Sequence, residues 1–246
     1  MKKIFAFLKR DLREIRSYKR HILSIATAAF FLLVFIYLFT FEIEFEQFSS
    51  QISKRVSTFV YFFTGLIIFE FSFSIVTSAG TQLRNFQLNG TLEEIIIQNN
   101  DAVTLISLTF TAIYRSIIKL LIYFFLAFVF FNISMSIQSM LALIFIFIIS
   151  LISYIGLSFW GAAFVLYFKK GVLFNASYTY LSLIFGGVVF SPNILPDIFS
   201  LGSNLLPIYH HLEISREIIS GMHLEESIIL NLSILLLQGI IYFSLG

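Results

Sequence analysis

The chain has 246 residues, 58% of them hydrophobic and only 12% charged, with 32 phenylalanines, no cysteine and a net charge of +2. A soluble core cannot hide that much apolar surface, so lipid has to serve as the solvent. The missing cysteines exclude disulfides, thiolate nucleophiles and the usual thiolate zinc sites.

Eight of the sixteen Lys and Arg lie in the first twenty residues. There Ile4, Leu8, Leu12, Ile15 and Tyr18 recur every three or four residues, with Lys9, Arg10, Arg13, Arg16, Lys19 and Arg20 on the other faces. This pattern predicts a basic amphipathic helix over 1–21 that lies on the bilayer surface. Nucleic-acid binding is the rival reading of such a cluster, and direct attachment to a membrane span argues against it. A secretory signal peptide is disfavoured too, because the basic stretch is too long and the apolar run after it is close to the roughly 20 residues that cross a bilayer.

Apolar runs follow at about 22–41, 57–79, 104–131, 138–168, 172–191 and 228–246. The expected fold is therefore an all-α integral membrane domain over 1–246, with spans one to five in 22–191 and span six in 228–246. An even number of spans puts both termini on one side. That side carries the basic N-terminus, Arg84, Lys169 and Lys170, against Lys54, Arg55 and Arg216 on the other. The basic excess makes it the cytoplasm of a cell (inner or plasma) membrane protein.

Between the second and third spans, 80–101 forms a cytoplasmic loop. In it Thr91 and Glu94 have the spacing of a capping box, and Gly90 lets the chain turn into the helix. The external segment 192–227 holds all three prolines, Pro192, Pro196 and Pro207, with Arg216 beyond them. Ile194–Phe199 and Leu205–Ile219 read as helices too apolar for water and too short to span, a reentrant hairpin that dips partway into the outer leaflet.

Charge inside the spans marks further candidates. Glu70 in the second and Arg115 in the third sit at matched depth, with Lys119 one turn beyond Arg115 on the same face. They read either as an ion pair that ties two spans together or as the polar lining of a transport path. His210 and His211 are adjacent and so diverge on a helix, which gives no metal site. No nucleophile, base and orienting group can be assembled, so no catalytic residue is expected. No Gly-x-x-x-x-Gly-Lys-Ser/Thr sequence is present either, so an ATP-driven process needs its motor on another chain.

Four stretches in this order resemble the permease subunits of type-2 ABC exporters: "KRDLREIRSYKR" at 9–20, "NGTLEEIII" at 89–97, "WGAAFVLYFKKG" at 160–171, and "FSPNILP" through "LLPIYHHLEISREI" at 190–218. The resemblance implies that Gly90, Thr91, Leu92, Glu93 and Glu94 belong to a coupling region that docks on a separate ATPase subunit. It implies a homodimer of permeases with two ATPase copies, which bind the ATP and Mg, and no cofactor on this chain. Lipid-linked glycans, lipids and amphipathic drugs are the implied cargo. An ion-coupled transporter or channel using Glu70, Arg115 and Lys119 is the alternative, and it would be favoured by internal repeats, of which the sequence has no sign.

Overall fold

The computed structural model describes residues 19–41, 58–93, 101–131, 135–169, 171–189, 191–192, 202–219 and 226–245. Of the amphipathic helix expected over 1–21, residues 1–18 lie outside the described residues, as do Glu94 and Pro196, and Lys19–His21 belong to the first described helix. Among the described residues every regular element is helical: α1 (Lys19–Phe41), α2 (Thr58–Val76), α3 (Ser78–Leu88), α4 (Asp101–Phe131), α5 (Ile137–Phe168), α6 (Gly171–Ile184), α7 (Pro207–Ile219) and α8 (Glu226–Leu245).

Four of them hold stretches long and apolar enough to cross a membrane: Thr58–Val76, Leu108–Phe131, Ile137–Phe168 and Ser227–Leu245. In α1 the apolar stretch is Leu23–Leu38. Large apolar side chains such as Phe31, Phe35, Phe125, Phe128, Phe145 and Ile240 stand exposed, as lipid contact requires. The described helices are those of a membrane-embedded protein.

The fifth expected span is shorter than the apolar run that suggested it. α6 has 14 residues, about 21 Å at 1.5 Å per residue, and stops at Ile184. The run reads through to residue 191 because Val188, Val189 and Phe190 keep it apolar, but two glycines break the helix first. A Cβ on Gly186 would lie 2.3 Å from the Ser182 carbonyl oxygen, and Gly187 has φ +77°.

α2 and α3 are nearly one rod. Only Thr77 interrupts them, with its backbone still helical (φ −85°, ψ −7°) and its hydroxyl donating to the Phe73 carbonyl at 2.7 Å. Back-bonding of this kind bends a helix without ending it. The rod ends at Gly90, whose φ of +69° suits glycine. There Thr91 N–H donates to the Phe86 carbonyl (3.0 Å) and Gly90 N–H to that of Gln87 (3.2 Å), the paired bonds of a Schellman cap.

Packing in lipid cannot rely on hydrophobic expulsion between helices, so close approach of backbones and shape have to supply the stability. α5 and α8 show this best. A Cβ on Gly156 would fall 2.6 Å from the backbone of Tyr242 and Phe243, and one on Gly239 would sit 3.0 Å from Ser153 Oγ. Ser153 donates across to the Leu235 carbonyl at 2.9 Å. α3 lies on α5 in the same way, with Gly80 over the Gly161 carbonyl and the Ser78 and Ser158 hydroxyls 3.3 Å apart. α1, α2 and α4 instead share an aromatic cluster, in which Phe59 stacks on Phe63 and Phe131 at 5.9 and 5.0 Å between ring centroids.

Candidate functional site

Three groups of polar residues stand out against this apolar frame. The first surrounds α7, a helix joined to α8 by residues 220–225 and packed on α2, α5 and α8. Its inward face carries His210, His211, Ser215 and Arg216, all buried. A charged side chain cannot stay there without partners. Arg216 finds them in the broken end of α6: its Nη1 donates to the Gly187 carbonyl at 2.9 Å and its Nη2 reaches that of Val188 at 3.5 Å. Nη2 also donates to the Tyr61 carbonyl at 3.3 Å, and the guanidinium carbon lies 3.5 Å from the centroid of the Tyr61 ring.

The break in α6 and the burial of Arg216 thus explain each other. A helix end in lipid leaves carbonyls without donors, and a fork of cationic N–H groups supplies them while matching the negative end of the helix dipole. One side chain pins α7, the start of α2 and the turn after α6. Pro192, expected only as loop punctuation, is buried, with its ring 3.2 Å from the position a Cβ on Gly187 would take. Pro207, also buried, opens α7, where a missing N–H costs nothing.

The histidines diverge as their adjacency predicts. His211 Nδ1 is 2.9 Å from the Tyr154 hydroxyl on α5, and its ring meets Phe147 edge-on at 4.6 Å. His210 faces α8, with Nδ1 2.8 Å from Asn231 Oδ1 and Nε2 3.0 Å from the Asn204 carbonyl. That carbonyl also accepts from Gln238 Nε2 at 2.6 Å. Gln238 is twelve residues, about 18 Å, into α8. The turn before α7 therefore reaches past the middle of α8. Its polar groups can go that far because α5 and α8 offer partners there. Among the described residues no group of three or more His, Asp and Glu is arranged to hold a metal ion.

The second group is the intramembrane charge. Glu70 lies twelve residues after the start of α2 and Lys119 twelve residues before the end of α4, about 18 Å in each case, and Lys119 Nζ is 3.5 Å from Glu70 Oε2. Glu70 thus contacts the residue one turn beyond Arg115, its expected partner. Arg115 itself is exposed. Both paired side chains remain about one-third accessible, 37% for Lys119 and 36% for Glu70, so the pair is not sealed by the chain's own helices.

The third group is the elbow at Gly90. Leu88, Asn89, Gly90 and Glu93 are exposed, with Leu88 at 68%, while Leu92 packs against the buried cluster of Ala79, Leu83, Leu108, Ala162 and Val165. Thr91 is outside the helices and Leu92 and Glu93 are helical, so a second helix starts where the Thr91 motif places one. The elbow rides on α3, which the glycine contact and the serine pair fix to α5.

Sequence reasoning missed Tyr61, Tyr154, Asn231 and Gln238 as partners of α7. The signal available was the adjacent glycines at 186–187 and a lone arginine in an apolar hairpin, each pointing to the need for the other. The chain matches no family model, and no curated protein is detectably similar to it.

Proposed function

We propose that this chain is the membrane-spanning permease subunit of an ATP-driven exporter. Two copies form the path for an amphipathic lipid-linked glycan, lipid or drug-like molecule, and two copies of a separate ATPase, which hold ATP and Mg, supply the energy. The observation that carries the reading is the α2–α3 rod. At one end it presents an exposed elbow with Gly90 at the turn and Glu93 on the following helix, and at the other Arg216 ties it to the hairpin. In this reading the chain has six spans of a cell membrane, with the elbow, both termini and Lys169 in the cytoplasm and α7 at the outer side, an orientation the asymmetry of basic residues supports.

In this reading closure of the ATPases pushes the elbow. α3 cannot move without α5, because Gly80 and Gly161 touch through backbone. The displacement then passes along α2 to Tyr61 and, through Arg216, to α7 and the turn at Gly187, and the path opens outward. The exposure of Leu88 and Glu93 supports the docking role, since an exposed apolar and an exposed acidic side chain on either side of the Gly90 turn suit a groove with a basic rim. The order of the four sequence stretches, with their agreement in side, supports the family.

A second reading has its own observation. The Glu70–Lys119 pair, one-third accessible within an apolar frame, suits an ion-coupled transporter or channel, in which the pair and Arg115 pass the ion. Purification of the tagged chain from its native membrane separates the two. The exporter reading expects an ATP-hydrolysing partner in equal amount, whose activity changes on binding this chain. Transport by the purified chain alone, driven by an ion gradient, would contradict it.

A further inference from the structure

α4 and α5 are joined by only residues 132–136, yet below that link they part. Between them lies a cleft of about 430 Å³. Met135, next to the α4–α5 link, lines one end, the buried or partly buried Phe124, Ala127, Leu143 and Phe147 form its back, and the exposed Phe128 and Met140 stand at its mouth. From Met135 to Phe147 is twelve residues, about 18 Å, close to one leaflet of a bilayer core of ~30 Å. The lining side chains are all apolar, so water has few partners there, and the volume is about three times the 150 Å³ that lets an apolar cavity hold benzene.

We propose that this cleft is a binding site for one acyl chain of a membrane phospholipid, taken in sideways from the leaflet at the Met135 end. The choice of occupant follows from access. Buried Ala127 and Leu143 close the cleft toward the protein, and its open side lies between two helices that carry exposed Leu121, Phe125, Ile144 and Phe145, the first three of them in the cleft's own lining. Hydrocarbon is the medium that reaches such a mouth. The back wall also connects the site to the hairpin: Phe147 borders the cleft and meets the His211 ring edge-on at 4.6 Å. An acyl chain against Phe147 thus presses on the residue that α7 packs against. This inference rests on membrane embedding alone and stands or falls independently of the ATPase partner.

The chain has a single tryptophan, which makes the test direct. On a Trp160→Phe background, Phe124→Trp reports from inside the cleft and Ile148→Trp, on an exposed part of α5, reports from the surface. Met140→Trp at the mouth repeats the first reading should Phe124→Trp fail to assemble. Each variant goes into phosphatidylcholine vesicles with an increasing fraction of the same lipid brominated on its chains. The expected result is quenching of the cleft reporter in direct proportion to the brominated fraction, the mark of one chain at a time. The surface reporter, which meets several exchanging chains, should fall more steeply at low fractions. Identical curves would reduce the cleft to ordinary lipid contact and overturn the proposal. So would an unquenched cleft reporter, and Met140→Cys cross-linking between copies would then assign the cleft to a second copy of this chain.

Discussion

A guanidinium buried at the end of a broken helix has to satisfy carbonyls that point in different directions, and Arg216 does so for Gly187 and Val188 while resting on Tyr61. Arg216→Leu keeps the volume and removes the donors. A buried acceptor left unpaired costs about 1–3 kcal/mol, so thermal unfolding in detergent should show a loss of a few kcal/mol. Arg216→Lys should recover little of it, because a point charge cannot span the fork; full recovery would mean that charge alone matters at this position. Glu70 and Lys119 allow a cleaner measurement. Removing Lys119 alone leaves a carboxylate at a depth where an unpaired charge costs on the order of 2.5–3.5 kcal/mol. Glu70→Leu combined with Lys119→Leu should therefore be less damaging than Lys119→Leu alone. Additive losses would show that the 3.5 Å contact carries no energy. Matched depth led to Arg115 from the sequence, and the choice between Arg115 and Lys119 lay beyond what sequence can decide. They differ by one turn, about 5.4 Å, which is comparable to the uncertainty in where sequence places the end of a span.

At the scale of the elements, the long apolar helices were legible because twenty apolar residues in a row have few other uses. The extent of α6 was not. Counting apolar residues cannot register that Gly186 has no room for a Cβ or that Gly187 adopts φ +77°. The depth of α7 was hidden for a related reason: it depends on Tyr154, Asn231 and Gln238, which are scattered over α5 and α8. Two glycine substitutions separate packing from backbone conformation. Gly156→Ala puts a methyl 2.6 Å from the α8 backbone, so overpacking should cost about 1–3 kcal/mol and loosen α5 from α8, whereas Gly202→Ala, with only Phe185 at 3.8 Å, should be neutral. Equal melting temperatures for the two would refute the close approach. At Gly90 nothing lies within 4 Å, and Gly90→Ala should cost only the strain of the left-handed conformation, about 1–2 kcal/mol. Amide exchange at Gly90 and Thr91 should speed up while the core stays protected.

For the molecule as a whole, the account assigns the elbow to energy transfer and the remainder of the α2–α3 rod to carrying that motion outward. Glu93 is exposed on the helix that follows Gly90, so Glu93→Lys leaves the packing untouched and reverses a charge on the proposed docking surface. Truncating or opposing a partly buried charge pair at an interface costs about 2–5 kcal/mol, enough to weaken the assembly measurably. The measurement is recovery of the ATPase subunit with this chain, together with the change in ATP hydrolysis on assembly, for the wild type, Glu93→Lys and a deletion of residues 90–94 in lipid vesicles. The account predicts that both variants fold and insert normally but lose the ATPase or its stimulation. Normal assembly and normal stimulation in both would show the elbow to be a plain connector and would contradict the exporter reading.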